Sequence, residues 1–304
     1  MERPGLIVAP LTPFDSELKV DRPTLRRQID YVVEECRATM VVAAGVETQE
    51  YAYLGPDERK DLIRSTVEFV GDRVPIMVGI SHPALRTAIE LAHEAERLGA
   101  AAVQVLAPLR PFAGAPTPDD LIAYFEALAR ETRLPITLYL NPGPGADVSI
   151  ADTIALAKLP AVQLIKESSR DLARVSRLIA EIDRPGHARY FTTMQMLLVT
   201  LLLGGSGATM PPPACEIARH IIDAFVAKQY ERAAELQLQF ALFPSKWMHR
   251  GLAPVMKAAM NQIGIPVGDP YPPYASLTAD EASALATCLK ATALAHRQLV
   301  QAAE

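Results

Sequence analysis

The chain has 304 residues, half of them hydrophobic and 21% charged, with a formal net charge of −5. That balance excludes a disordered chain, and the scattered Lys and Arg residues form no basic stripe for nucleic acid. The length leaves open two ordinary domains or one large α/β barrel, either able to bury a full core without staples. Three cysteines (Cys36, Cys215 and Cys288) with no CxxC spacing argue against a disulfide framework and a zinc site, and read as small core residues. Six histidines lie far apart with no HxH or HExxH pair, so no metal site is expected. The first residues lack the basic and apolar regions of a signal peptide. The longest apolar stretch, 194–203, is too short and broken to span a bilayer. The expectation is a cytoplasmic globular protein that binds neither nucleic acid nor membrane.

Apolar runs recur at 6–10, 40–44, 75–80, 101–107, 135–140, 162–166, 189–192 and 207–210. Their near-continuous hydrophobicity is that of parallel strands buried on both faces. Helical patterns fill the intervals. Pro83 and Pro118 fall where a first helical residue is expected, and Ser149-Ile150-Ala151-Asp152 resembles a capping box. Ala88, Leu91, Ala92 and Ala95 share one helical face, and Gly99 marks its stop. Gly204-Gly205-Ser206-Gly207 looks phosphate-binding but precedes a strand instead of opening a helix, and reads as a tight turn. Eight strand–helix alternations without a linker or a dinucleotide fingerprint favour an α/β fold, a (β/α)8 TIM barrel over residues 1–228. Further helices are expected at about 214–228, 230–243, 246–263 and 278–302, the last opened by Thr278 and Glu281. Residues 229–304 therefore read as an appended C-terminal helical extension.

Seven of the eight lysines lie in helical or turn segments with polar company, where solvation is expected. Lys166 instead ends an apolar strand, the sixth. Period-two geometry puts Val162, Leu164 and Lys166 on one face. If that face is the lumen, Lys166 points into the barrel mouth, where such enzymes place their chemistry. A desolvated amine there can attack a ketone and form a Schiff base; a structural salt bridge with Glu167 is the alternative. Tyr139, near the end of the fifth strand, is either a proton shuttle beside that lysine or a core tyrosine.

With these residues in place, the chain resembles the dihydrodipicolinate synthase / N-acetylneuraminate lyase family of class I aldolases over about residues 6–222. The resemblance rests on Leu11-Thr12-Pro13-Phe14 with Val20-Asp21, on Thr87–Ala92 leading to Leu98-Gly99-Ala100, and on Tyr139. Ile165-Lys166-Glu167-Ser168 and Leu203-Gly204-Gly205-Ser206-Gly207 complete it. It implies that Lys166 is the Schiff-base lysine, that Tyr139 transfers protons, that no cofactor or metal is needed, and that the chain forms a homotetramer or homodimer.

Departures bear on the substrate. The family's usual Gly-Thr-Thr-Gly-Glu after the second strand becomes Val46-Glu47-Thr48-Gln49-Glu50. Thr48 and Gln49 are assigned to binding a 2-oxo acid carboxylate, while Glu47 replaces a relay threonine and reads as an acid/base carboxylate. The family's Pro-Tyr-Tyr becomes Pro108-Leu109-Arg110, with Arg110 a candidate anion contact. Pro144 stands where the synthases carry a carboxylate-binding arginine. Glu47 and Arg110 are otherwise solvated loop residues. Thr192 and Thr209 fall where family members line the pocket. The expected activity is a Schiff-base lyase, aldolase or dehydratase acting on pyruvate or a pyruvate-derived 2-oxo acid. The alternatives are dihydrodipicolinate synthase proper, in lysine biosynthesis, and a catalytically retired barrel that binds a small 2-oxo acid as sensor or scaffold.

Overall fold

Short runs of Val, Ile, Leu and Ala form eight strands: β1 Gly5–Val8, β2 Met40–Ala43, β3 Ile76–Gly79, β4 Ala102–Leu106, β5 Ile136–Leu140, β6 Val162–Glu167, β7 Arg189–Thr192 and β8 Gly207–Met210. They belong to a computed structural model that describes residues 4–110, 114–141, 145–241 and 249–297. Each strand pairs in parallel with its neighbours in sequence, and β8 returns to β1, so the sheet closes into the expected TIM barrel. Pro75 and Pro135 lie just ahead of their strands, yet their carbonyls accept from Val41 N at 3.1 Å and Val103 N at 2.9 Å. Proline at a strand entrance loses only a donor.

Alternation sorts the strand residues into two layers. Ile7, Ala9, Val42, Met77, Ala102 and Phe191, with Met40 and Leu164 against them, fill the lumen. Their strand neighbours pack outward against the helices in the larger core. One expectation fails here. The β5–β6 register runs Ile136↔Val162 and then Thr137↔Leu164, so Gln163 is an extra residue on β6. Such a bulge reverses the facing of what precedes it. Val162 consequently packs among the helices while Leu164 faces the lumen.

Between strands run α1 Arg22–Asp30, α2 Pro56–Val70, α3 Leu85–Arg97, α4 Pro118–Glu131, α5 Ile150–Ala157, α6 Leu172–Leu178, α7 Leu197–Leu202 and α8 Cys215–Val226. Thr117 and Asp120 close a capping box on α4, and Ser149 accepts from Asp152 N at 3.1 Å to cap α5. Helix α3 begins two residues after Pro83, which stands outside it; the buried face of Ala88, Leu91, Ala92 and Ala95 is as expected. The glycine run before β8 is a turn. Gly207 has φ +147°, and a Cβ there would lie 2.0 Å from the Gly5 carbonyl oxygen. Cys36 and Cys215 are buried, and Cys288 is half-buried.

Beyond α8 come α9 Tyr230–Leu238, α10 Leu252–Gln262 and α11 Ala279–Lys290. These are shorter than the sequence pattern suggests. Gly251, at φ +89°, caps α10, which begins at Leu252; Lys246, where the pattern starts this helix, lies outside the described residues. Helix α11 gives way at Ala291 to a short 3-10 turn, Ala293–His296. Gln237 of α9 spans Leu198 N at 2.9 Å and the Met194 carbonyl at 3.0 Å, fastening the tail to α7. Among the described residues no helix is long and apolar enough to cross a membrane, and no three His, Cys, Asp or Glu side chains are grouped to hold a metal.

Candidate active site

Lys166 and Tyr139 are register partners on β6 and β5. Lys166 also pairs with Phe191 of β7, a lumen residue, so its side chain turns inward at the C-terminal end of the barrel. The ammonium nitrogen lies 4.7 Å from the Tyr139 ring centroid and donates to Ser168 Oγ at 2.8 Å. Ser168 also hydrogen-bonds the Tyr139 side chain, which makes it a bridge between the two. Both are shielded, at 3% exposure for Lys166 and 2% for Tyr139.

The competing salt bridge is formed by other residues. Glu167 turns to the opposite face of β6, where it accepts from Arg174 Nε at 2.6 Å and the Tyr190 hydroxyl at 3.2 Å. Among the described residues Lys166 has no carboxylate in ion-pair contact. Burial pulls its pKa down from 10.5 to about 8; the charges of Glu47 and Glu167 oppose this and that of Arg170 assists it. Roughly one amine in ten is then neutral at pH 7. Burial pushes the Tyr139 phenol well above its ordinary range, with Glu47 adding to the shift. That phenol is a proton donor at neutral pH.

The loop after β2 carries Glu47, Thr48 and Gln49. Val46 N donates to Gln104 Oε1 at 2.9 Å, and Gln104 Nε2 donates to Glu47 Oε1 at 3.2 Å. Glu47 Oε2 is shielded from solvent and has no hydrogen-bond partner among the described residues. Burial raises the Glu47 pKa, opposed by Lys166, by the residue's own backbone N–H and by the Gln104 hydrogen bond. Glu47 is thus not a solvated loop residue. The Thr48 side chain hydrogen-bonds Glu50, so its hydroxyl already serves the loop. Gln49 takes φ +55°, at the position where the family motif has glycine. For a residue with a side chain this backbone costs about 1–2 kcal/mol.

Glu50 anchors the loop from below. It accepts from Thr12 N at 2.8 Å and pairs with Lys257 Nζ at 3.0 Å. Lys257 was expected among the solvated lysines and is instead 0% exposed. The correction is physical: its helix faces the barrel at that point, and its remaining donors meet the carbonyls of Thr12 at 2.7 Å and Asp269 at 3.0 Å.

The other expected site residues divide. Thr209 pairs with the lumen residue Ile7, so it faces the barrel interior. Thr192 pairs with Ala208, which packs against the helices, and alternation puts it on the face opposite Phe191. Its buried hydroxyl therefore points away from Lys166. Arg110 is exposed; its backbone pairs with Gly114 and its charge acts on Asp120 at the start of α4. Pro142, Gly143 and Pro144 lie outside the described residues. The cation whose field reaches Lys166 is Arg170, just after β6, which donates to Gln195 Oε1 at 3.1 Å. A cavity of about 580 Å³ opens beside the cluster, lined by Gln49, Tyr51, Arg59, Ser81, Leu106 and Leu109 among others, but not by Lys166.

Residues that sequence reasoning missed are Gln104, Ser168 as a bridge, and Arg170. Gln104 was the most findable, as a polar residue inside the apolar strand Ala102–Leu106.

A sequence model of the dihydrodipicolinate synthetase family matches residues 2–292. The chain belongs to that family. Over 294 residues it is 30% identical to the 4-hydroxy-tetrahydrodipicolinate synthase of Moorella thermoacetica, covering 95% of this chain and 98% of that one. Among solved structures, YagE from E. coli K12, a prophage protein of the dihydrodipicolinic acid synthase family in complex with pyruvate, superposes with a TM-score of 0.87 at 25% identity. The match covers 95% of this chain and 98% of YagE. The N-acetylneuraminate lyase of Mycoplasma synoviae gives a TM-score of 0.81 at 21% identity over 95% and 97% of the two chains, a likeness of fold.

Proposed function

We propose that this protein is a Schiff-base-forming lyase, metal-independent, acting on pyruvate or a pyruvate-derived 2-oxo acid. The observation that carries the reading is a buried amine at the barrel mouth, depressed to about 8 and free of any carboxylate ion pair among the described residues. In its neutral form Lys166 attacks the C2 ketone. The carbinolamine loses water to give an iminium, whose positive nitrogen draws in the electron pair of a bond at C3 and so forms an enamine. Tyr139 supplies the proton that lets hydroxide leave as water, with Ser168 holding amine and phenol together. Glu47 is the acid/base carboxylate of the site. In this reading the backbone N–H groups at Thr48 and Gln49 bind the substrate carboxylate, and Thr209 binds the substrate chain. Arg110 is the anion contact of this reading, and the protein is a homotetramer or homodimer. Residues 1–228 are proposed as the catalytic barrel and 229–304 as its helical extension, in a cytoplasmic protein.

Borohydride reduction in the presence of pyruvate tests this. Wild type should gain the mass of a reduced pyruvyl group, and Lys166→Ala should not. An unmodified wild type overturns the mechanism. The second reading, 4-hydroxy-tetrahydrodipicolinate synthase itself, is favoured by the 30% identity to the Moorella thermoacetica enzyme. The carboxylate at Glu47 and the segment Pro108-Leu109-Arg110 weigh against it.

A further inference from the structure

Gln104 of β4 is buried in the barrel lumen, at 1% exposure, two residues along the strand from the lumen residue Ala102. A buried amide left without partners costs about 1–3 kcal/mol, so its contacts define its purpose. Both of them go to the loop after β2. The amide orientation is fixed by chemistry: the Val46 N–H needs an acceptor, which must be Oε1, and this leaves Nε2 to face the carboxylate. Glu47 is therefore held by one oxygen. The other, Oε2, is dry and unpartnered, while the charge of Glu47 is felt at both Lys166 and Tyr139. A carboxylate held in this way presents one basic atom in one direction.

We infer that Gln104 is the positioning residue for Glu47, and that Glu47 Oε2 moves the C3 proton between the imine and the enamine. This deepens the Schiff-base reading and rests on it. The step balances: Oε2 takes a proton from C3, the C–H electron pair forms the C2–C3 double bond, and the iminium π pair becomes the nitrogen lone pair. The return reverses each transfer. Burial keeps Tyr139 protonated, so the basic half of the exchange falls to Glu47. The titratable groups facing Glu47 are Lys166, Tyr139 and Tyr51.

The experiment uses pyruvate alone, with two readouts on the full-length protein. Borohydride trapping reports the imine, and exchange of the pyruvate methyl protons in D2O, followed by NMR, reports the C3 proton step. At saturating pyruvate Lys166 is already an imine, so the acid limb of the exchange–pH profile belongs to Glu47. Glu47→Gln should still be trapped to completion at saturating pyruvate, whatever its trapping rate, with exchange at least a hundredfold slower. Gln104→Leu should trap pyruvate normally, exchange about ten- to a hundredfold more slowly, and move the acid limb to higher pH, because the bond that favours the carboxylate is gone. Gln104→Glu keeps an acceptor for Val46 N and loses the donor to Glu47, so it should shift the limb likewise with the loop still anchored. It serves if Gln104→Leu does not fold. The inference is overturned by wild-type exchange and an unmoved limb in the Gln104 variants, or by trapping that falls in parallel with exchange. Failure of wild type to trap pyruvate overturns the Schiff-base reading itself, and the inference with it.

Discussion

Lys257 of α10 and Glu50 of the loop after β2 form an ion pair closed to solvent, with Nζ 3.0 Å from Oε1. The same ammonium holds the Thr12 carbonyl at 2.7 Å, and Glu50 holds Thr12 N at 2.8 Å. Three segments distant in sequence thus meet at one point beneath the Glu47 loop. Breaking a buried pair from one side strands the other charge.

Lys257→Met should therefore destabilise the fold by about 3–5 kcal/mol at neutral pH, measured by urea unfolding. Burial already raises the Glu50 pKa against the pull of Lys257. Without that pull the carboxylate becomes harder still to ionise, so the loss should shrink as pH falls and Glu50 takes up a proton. Lys257→Met combined with Glu50→Gln should recover part of the stability. A neutral effect of the single substitution would mean that the pair carries no load.

The depressed lysine at the barrel mouth makes an opposite prediction. Lys166 lies at about 8 when folded against 10.5 ordinarily. Between these values the unfolded chain binds a proton that the folded chain does not, so stability rises with pH across that window. The cost is fully present below pH 8. Lys166→Met should accordingly be more stable than wild type at pH 7, by on the order of 1–3 kcal/mol, with the gain narrowing as pH rises toward 10.5. Calorimetric melting at pH 7 and pH 10 checks this, and equal melting differences at the two pH values would contradict a buried, destabilised ammonium.

Imine formation supplies a third check. At subsaturating pyruvate its rate follows the neutral fraction of Lys166 and should climb through a midpoint near 8. Glu47 is the largest influence holding that midpoint up. Glu47→Gln should lower it. Borohydride trapping rates between pH 6 and pH 9 would show the displacement, and an unmoved midpoint would mean that Glu47 is not charged beside the amine.

The barrel was legible because strands buried on both faces leave unbroken apolar runs, and a lysine at the end of such a run has few ordinary uses. Faces were less legible than elements. Counting by twos assigned Val162 correctly only in the absence of the Gln163 bulge, which a sequence does not advertise. Thr192 was placed by the family pattern, whereas alternation from Phe191 would have turned it outward. Lys257 was missed for a different reason. A helix pattern shows which residues share a face, but not that a carboxylate more than two hundred positions earlier will meet one of them. Gln104 sat in plain view, since an amide within Ala102–Leu106 has to be satisfied by something.

The clasp between Gln104 and Glu47 bears on the re-engineering of relatives of this enzyme. A carboxylate transplanted alone into a homologue that lacks the amide would arrive without its brace, able to swing and to collapse onto the nearest cation. In this chain the two side chains are hydrogen-bonded to each other, and a graft should carry both.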